Sequence, residues 1–491
     1  MDDEELLGDP TLEDFTTDVE TLSIGLAYPI TEAHLIDNNV DPCKQILLEK
    51  EQYCNKIDRF VKFYKKDKKW LTKKYVRETK YGILPKYIFD LSVKNVKDPD
   101  IYFCGDYNWY YTGGILDKCQ LFNEQYLVYT DNKNLLCIGN RIGKRHSLAV
   151  DTLDETPVFN VTVNEDSVVC LRQKHRICAL ELTVKNDEVA YDVLISKRST
   201  NVPFIDVKCH KNEISTLDLN HQLTIEDIDK EEYDEFSLKS TATSNAFGQI
   251  EYLDNNSLII LDRNSLRIFD KRSKEEKVHI YKNKYFKCDE LCTVIPSQDT
   301  NYVFVSSRHN ILKFDIRKLD FVKRWTHMLS HAPSLMKLRP CNDGELIFVS
   351  SQNYNDRIVL LSNEYETNMV QTVPNIIETW QKSNSTYNFK LHNDNVARLK
   401  YSTIGISLLE SNEGIDLCTC NSVSDIFNNT ISQNDIFLSK MPLQKLDNWM
   451  NSLPINPNEL IITHLREMSH IKDILPQSQL MNTLDVYTQE N

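Results

Sequence analysis

The chain has 491 residues, 41 % apolar and 10 % aromatic, with only 12 glycines, a composition that excludes collagen-like, low-complexity and wholly disordered proteins. At this length one compact core is exceeded, so several domains or one repeat architecture is expected. Fifty-seven Lys and Arg against 72 Asp and Glu leave a net charge of −15, which excludes general attraction to polyanions; nucleic acid can be held only by a local basic patch.

Residues 1–20 carry nine acidic and no basic side chains, punctuated by Leu6, Leu7, Leu12 and Phe15. Such a stretch cannot build a core, so residues 1–40 are expected to be an acidic, disordered segment that docks on a basic partner or simply solubilises the chain. An acidic start is the opposite of a secretory signal, and no apolar run approaches the ~18 residues of a membrane helix, so a soluble intracellular protein without membrane contact is expected.

Residues 41–100 form the next unit, a basic segment with helical character over 43–80. Lys62, Lys65, Lys66, Lys68, Lys69, Lys73, Lys74, Arg77 and Lys80 crowd it, interleaved with Phe63, Tyr64, Trp70 and Tyr75. Ammonium groups neutralise phosphates and flat rings stack on bases. Lys65, Lys66, Lys68, Lys69, Trp70, Lys73, Lys74, Tyr75 and Arg77 are therefore the candidate nucleic-acid contacts; the alternative is a solvated helix face with its aromatics turned inward. The aromatic run Ile101–Gly114 is expected to add strands to the first sheet or to close a ring against the last.

A repeat dominates residues 101–431. Leu258–Leu261, a turn at Asp262–Ser265 and Leu266–Arg272 form one hairpin; Tyr302–Val305, a turn at Ser306–Asn310 and Ile311–Arg317 form the next. Both second strands contain Phe-Asp-x-Arg, at Phe269 and Phe314. Hairpin starts at Tyr126, Val168, Ile214, Leu258, Tyr302 and Leu346 lie 42, 46, 44, 44 and 44 residues apart, and a seventh at Ile404 follows after 58, implying an insertion of about 14 residues. Lys277–Tyr281, Asp289–Ile295, Phe321–Thr326 and Ser334–Leu338 supply further strands, so each unit holds four. Spacings of ~40–45 residues are those of propeller blades. The fold expected is all-β, a β-propeller of seven blades, with a short helical N-terminal segment; a two-sheet sandwich is the alternative. Gly-His…Trp-Asp signatures are absent, so the repeat is only WD-like.

The acidic run Glu226–Glu235 reads as a charged connection between blades. Residues 432–491 form a helical extension in which Leu443, Leu446, Trp449 and Met450, then Leu460, Ile461, His464, Leu465 and Met468, recur at helical spacing about Pro454 and Pro457, the pattern of a helical hairpin.

The thirteen scattered cysteines include no Cys-x-x-Cys, so reduced thiols are expected, with Cys418 and Cys420 on one sheet face. No phosphate loop, dinucleotide fingerprint, nucleophile elbow or zincin motif occurs. The chain is read as no enzyme, with no metal, cofactor or small-molecule substrate.

Two stretches resemble a known family. Tyr302–Arg317 continues into Arg324–Leu335, where Phe314, Asp315, Arg317, Trp325, His327, Pro333 and Leu335 match a strand ending in Asp-x-Arg followed by Trp-x-His and a Pro near a Leu. Thr419–Phe427 matches a polar turn followed by Asp425, an aliphatic residue and Phe427, with Ser424 where the family often has Gly. Both resemble the propeller member of the TATA-binding-protein-associated factors in the RNA polymerase I promoter-selectivity factor, a family whose fungal counterpart belongs to the core factor. The resemblance implies a scaffold at ribosomal RNA gene promoters that binds the TATA-binding protein and sister factors in the nucleus and nucleolus, with promoter DNA met through the basic segment. It also implies that the matched residues are structural rather than contacts. The repeat alone equally allows a propeller adaptor elsewhere, such as a ubiquitin-ligase substrate receptor or a coat or nuclear-pore component.

Overall fold

A computed structural model describes residues 22–32, 41–44, 107–121, 124–140, 145–165, 167–185, 188–230, 232–238, 247–282, 289–341, 344–362, 369–387, 393–411, 414–432 and 441–453. Two very short strands come first, β1 (Ser23–Ile24) and β2 (Tyr28–Pro29). Blade 1 is β3 (Leu116–Leu121), β4 (Glu124–Thr130), β5 (Leu136–Asn140) and β6 (Arg145–Leu148). Blade 2 is β7 (Val158–Val163), β8 (Val168–Gln173), β9 (Arg176–Lys185) and β10 (Glu188–Arg198); blade 3 is β11 (Phe204–His210), β12 (Glu213–Asp218), β13 (Gln222–Asp227) and β14 (Glu232–Ser237). Blade 4 is β15 (Gln249–Tyr252), β16 (Ser257–Leu261), β17 (Ser265–Asp270) and β18 (Glu275–Ile280). Blade 5 is β19 (Leu291–Pro296), β20 (Tyr302–Ser307), β21 (Asn310–Asp315) and β22 (Asp320–Thr326); blade 6 is β23 (Pro333–Cys341), β24 (Gly344–Ser351), β25 (Arg357–Ser362) and β26 (Met369–Thr372). Helices α1 (Ile376–Tyr387) and α2 (Asn393–Leu399) precede blade 7, β27 (Thr403–Ser411), β28 (Gly414–Asn421) and β29 (Ile426–Ser432), and α3 (Met441–Ser452) follows.

Each sheet is an antiparallel meander, and the seven make a propeller. Middle strands bury nearly every residue because a neighbouring blade covers each face, as in β20, whose Val303, Phe304 and Val305 are fully buried. Outer strands alternate instead, as β22 does, because one face meets water. Turns between first and second and between third and fourth strands share one face, here the lower; second-to-third turns and blade-to-blade connections share the upper.

Three expectations change here. Residues 22–32 fall inside the segment expected to be disordered, yet β1 pairs antiparallel with β29 at Ser23↔Ser432 and Ile24↔Ile431, and β2 pairs with it at Tyr28↔Asn428. The amino-terminal strap thus completes blade 7 and closes the ring, one of the two roles expected of Ile101–Gly114. Ile404–Leu409 and Ile415–Cys420 are the first and second strands of blade 7, not the second and third, so the last hairpin interval is one strand out of step with the others. Gly344 and Gly414 occupy equivalent second-strand starts with the same φ of 146°, and the insertion is the longer stretch holding α1 and α2. Glu226–Glu235 is the β13–β14 hairpin rather than a connection between blades. The seam between blades 7 and 1 is tight: a Cβ on Gly405 would lie 2.7 Å from that of Leu116.

Residues 454–491, with the second helix expected there, and residues 45–100, with most of the helix expected over 43–80, lie outside the described residues.

Candidate functional site

The upper face carries a plug built from chain ends. Residues 41–44 and 107–114 cross it and bind blades on opposite sides of the ring, so they cross its axis. Gln352 of blade 6 accepts from Asn108 N and donates to Asn108 O, each at 2.8 Å. Arg263 of blade 4 donates to Tyr107 Oη at 2.6 Å and lies 4.0 Å from the Phe247 ring centroid. Arg172 of blade 2 donates to Tyr110 O and, at 3.3 Å, to Phe204 O; burial lowers its guanidinium to about 10, still charged at neutral pH. Asp41 accepts from Ser402 N at 2.9 Å and from Ser422 Oγ at 2.6 Å, which ties the plug to blade 7. The described part of the aromatic run, residues 107–114, is therefore packing, as its composition allowed, but it caps the channel instead of joining a sheet.

All nine candidate nucleic-acid residues, Lys65 to Arg77, lie outside the described residues. Their flanks do not. Asn108 Nδ2 donates to Cys43 O at 3.3 Å, so the chain leaves and returns at adjacent points of the upper plug.

The matched motif residues fall in two places. Asp315 ends β21 and accepts from Arg317 N at 2.9 Å and from the Arg317 guanidinium at 3.2 and 3.0 Å; these bonds hold its carboxyl down at about 2. Asp270 and Arg272 repeat the clasp in blade 4 at 2.9, 3.2 and 3.0 Å. Phe314 packs edge-on against Phe321 with centroids 5.1 Å apart. Trp325 leans on Phe304, and Leu335 is buried where β23 begins at Pro333. Between them His327, 1 % exposed, donates from Nε2 to Arg308 O at 2.7 Å and accepts the Leu329 N–H on Nδ1 at 3.0 Å, which is the neutral tautomer. Burial lowers its pKa to about 4. Residues 325–335 are thus the crossover from blade 5 to blade 6.

The second group anchors helices. Arg398 of α2 forms a bidentate pair with Asp425 at 2.8 and 2.6 Å, and Phe427 meets Trp449 of α3 edge-on at 5.9 Å. Ala27, Ile376, Ile377, Leu399, Leu446 and Met450 join them in one cluster, so the insertion, the last helix and the closing strap share a small core on blade 7. Sequence reasoning misses this cap, although Asn375-Ile-Ile-Glu378 is a legible helix start: Asn375 Oδ1 accepts from Ile377 N at 2.9 Å and Glu378 Oε1 from Asn375 N at 3.2 Å.

The channel wall is polar. Asp206 is buried and accepts from Ile250 N at 2.7 Å, Asn160 Nδ2 at 2.8 Å and Val207 N at 2.9 Å; burial raises it to about 6 against the pull of Lys208 and Arg172. Lys208 pairs with Glu251 at 2.7 Å. Ser330, His331 and Asp356 meet on the upper face, but Ser330 Oγ and Asp356 Oδ2 both contact His331 Nδ1 at 2.8 Å. A relay from acid to base to hydroxyl needs both ring nitrogens, so this cluster is a tether for the blade 5–6 crossover. Among the described residues no group of three His, Cys, Asp or Glu is arranged for a metal, and no helix is long and apolar enough to cross a membrane.

No protein-family model and no curated protein matches the sequence. Among solved structures the chain is similar to one in the crystal structure of S. cerevisiae core factor, with a TM-score of 0.50 and 12 % identity over 79 % of this chain and 67 % of that one. It is similar also to a chain of the mitotic checkpoint complex (TM-score 0.48, 13 % identity, 67 % and 89 % covered) and to the N-terminal domain of Nup159 (0.43, 11 %, 67 % and 91 %). At these identities the likeness is one of fold.

Proposed function

We propose that this chain is a non-catalytic scaffold component of a promoter factor for RNA polymerase I, working in the nucleus with the TATA-binding protein and sister factors at ribosomal RNA genes. The observation that carries the reading is the blade 5–6 crossover. Buried His327 and the Trp325–Leu335 path there, with the Asp315-x-Arg317 clasp in the β21–β22 turn of blade 5, are the residues that resemble the family, within a fold shared with core factor. Promoter DNA is met through Lys65, Lys66, Lys68, Lys69, Lys73, Lys74 and Arg77, the cations of the basic segment.

Affinity purification of the tagged chain from nuclear extract tests this. Recovery of the TATA-binding protein, with crosslinking of the chain to ribosomal gene promoter DNA, is the expected result. Clean preparations that lack the TATA-binding protein, or a cytoplasmic address, overturn it.

A further inference from the structure

A pair of thiols between blades 2 and 3 plays no part in the scaffold reading. Side chains two residues apart on a strand share a face. On β8 the face turned to blade 3 carries Val168 and Cys170; on β11 the face turned to blade 2 carries Val207 and Cys209. Val168, Cys170 and Val207 belong to one buried cluster with Ile177, Ala179 and Ile214, and Cys209 packs against it from its rim. Cys209 Sγ lies 3.6 Å from Val168 O and 3.6 Å from Thr162 O. The Cys170 thiol is hydrogen-bonded to Cys209, and that bond together with burial pushes it well above the ordinary thiol range. The shared proton therefore stays on Cys170.

The two thiols differ in access. Cys170 is fully enclosed, whereas Cys209 is half-buried near the lower end of β11. The next residues, His210 and Lys211, line a depression of about 440 Å³ on the lower face with Glu165, Asn212 and Glu213. A small oxidant thus reaches Cys209 first, with Cys170 directly behind it. Bringing two bonded thiols to the ~2 Å of a disulfide takes side-chain rotation and a slight approach of the two strands. The seam between them is otherwise held by hydrogen bonds, such as that from Asn164 Nδ2 to Lys211 O at 2.7 Å.

We propose that Cys170 and Cys209 form a reversible disulfide, locking blade 2 to blade 3, when the protein meets a hydroperoxide such as hydrogen peroxide. The Cys209 thiolate attacks one peroxide oxygen and the O–O bond breaks. The departing hydroxide takes up the proton that Cys209 released and leaves as water, and Cys209 becomes a sulfenic acid. The Cys170 sulfur then attacks the Cys209 sulfur, the S–O bond breaks, and hydroxide leaves as water with the Cys170 proton. Two thiols lose two electrons and one peroxide is reduced to two waters. A dithiol reductant reopens the lock by exchange.

The test takes the full-length chain, purified reduced, exposes it to hydrogen peroxide, alkylates it and digests it with trypsin without reduction. Trypsin leaves Cys170 in His146–Arg172, Cys178 in Ile177–Lys185 and Cys209 in Cys209–Lys211, so mass spectrometry tells the pairings apart. The expected product joins the first and third peptides, runs as a monomer on a non-reducing gel and disappears with dithiothreitol. The oxidised chain should melt about 5 °C above the reduced one, because a crosslink restricts the unfolded chain. In Cys170→Ala the sulfenic acid on Cys209 has no thiol to resolve it, so dimedone should label Cys209 about 5-fold more than in the parent. Linkage through Cys178, a disulfide between two chains, Cys209 driven to sulfinic acid without any linkage, or equal dimedone labelling of the two proteins would overturn the proposal. Each result is independent of whether the TATA-binding protein is a partner.

Discussion

Ser424 sits at φ 65°, a left-handed conformation that costs a residue with a Cβ about 1–2 kcal/mol. Its hydroxyl offsets part of this by donating to Thr130 O at 2.8 Å across the seam between blades 7 and 1. Glycine relieves the backbone and loses the hydroxyl, so Ser424→Gly should be within about 1 kcal/mol of the parent, whereas Ser424→Ala, which keeps the strain and loses the bond, should cost about 1 kcal/mol. Urea denaturation of the two variants measures the difference.

His327 and Asp206 titrate in opposite senses. A histidine held at about 4 keeps stability that is present above its ordinary pKa of 6.5 and lost as pH falls towards 4. Asp206, raised from 3.8 to about 6, binds its proton first in the folded state, so it adds stability as pH falls from 6 towards 4. Shifts of this size correspond to about 3 kcal/mol each. In the parent the two nearly cancel between pH 6.5 and 4; His327→Gln should remove one and become more stable relative to the parent by about 3 kcal/mol across that window. Equal pH profiles for the two proteins would contradict the assignment.

At the scale of elements, the helical cap depends on one buried ion pair. Asp425→Ala leaves Arg398 charged and buried beside the Trp449 ring, and should cost about 3–5 kcal/mol; replacing both partners with Leu and Met should cost less than the single change. Thermal melts of the three variants check the order. The strap matters differently, since β1 and β2 shield the β29 edge. Deletion of residues 1–32 should lower the melting temperature and give concentration-dependent dimers by light scattering, because a bare strand edge pairs with another chain.

For the whole molecule, charge sets the terms of DNA binding. With the net charge at −15, attraction must come from Lys65, Lys66, Lys68, Lys69, Lys73 and Lys74. Six phosphate contacts give a slope of log K against log salt of about −5, and changing the six to Glu should abolish binding to duplex DNA in a mobility-shift titration. A shallow slope, or binding unchanged by the substitutions, would assign DNA contact to another surface.

Strand composition and period were enough to define a seven-fold repeat of short antiparallel strands, because alternation and polar turns are local and each blade repeats them, as Tyr302–Arg317 and its neighbour at Leu258 do. Nothing local separates the first hairpin of blade 7 from a second one, so Ile404–Cys420 was legible as strands but not as their place in the blade. Tertiary structure alone decided which segment closes the ring, that residues 107–114 cap the channel, and that Asp117 meets Lys337 and Asp425 meets Arg398. Those outcomes depend on which distant surfaces remain unburied once the blades have stacked. A strap of two-residue strands has no periodicity of its own; it is held by the edge of β29 and the cluster around Trp449, neither of which exists until the ring has formed.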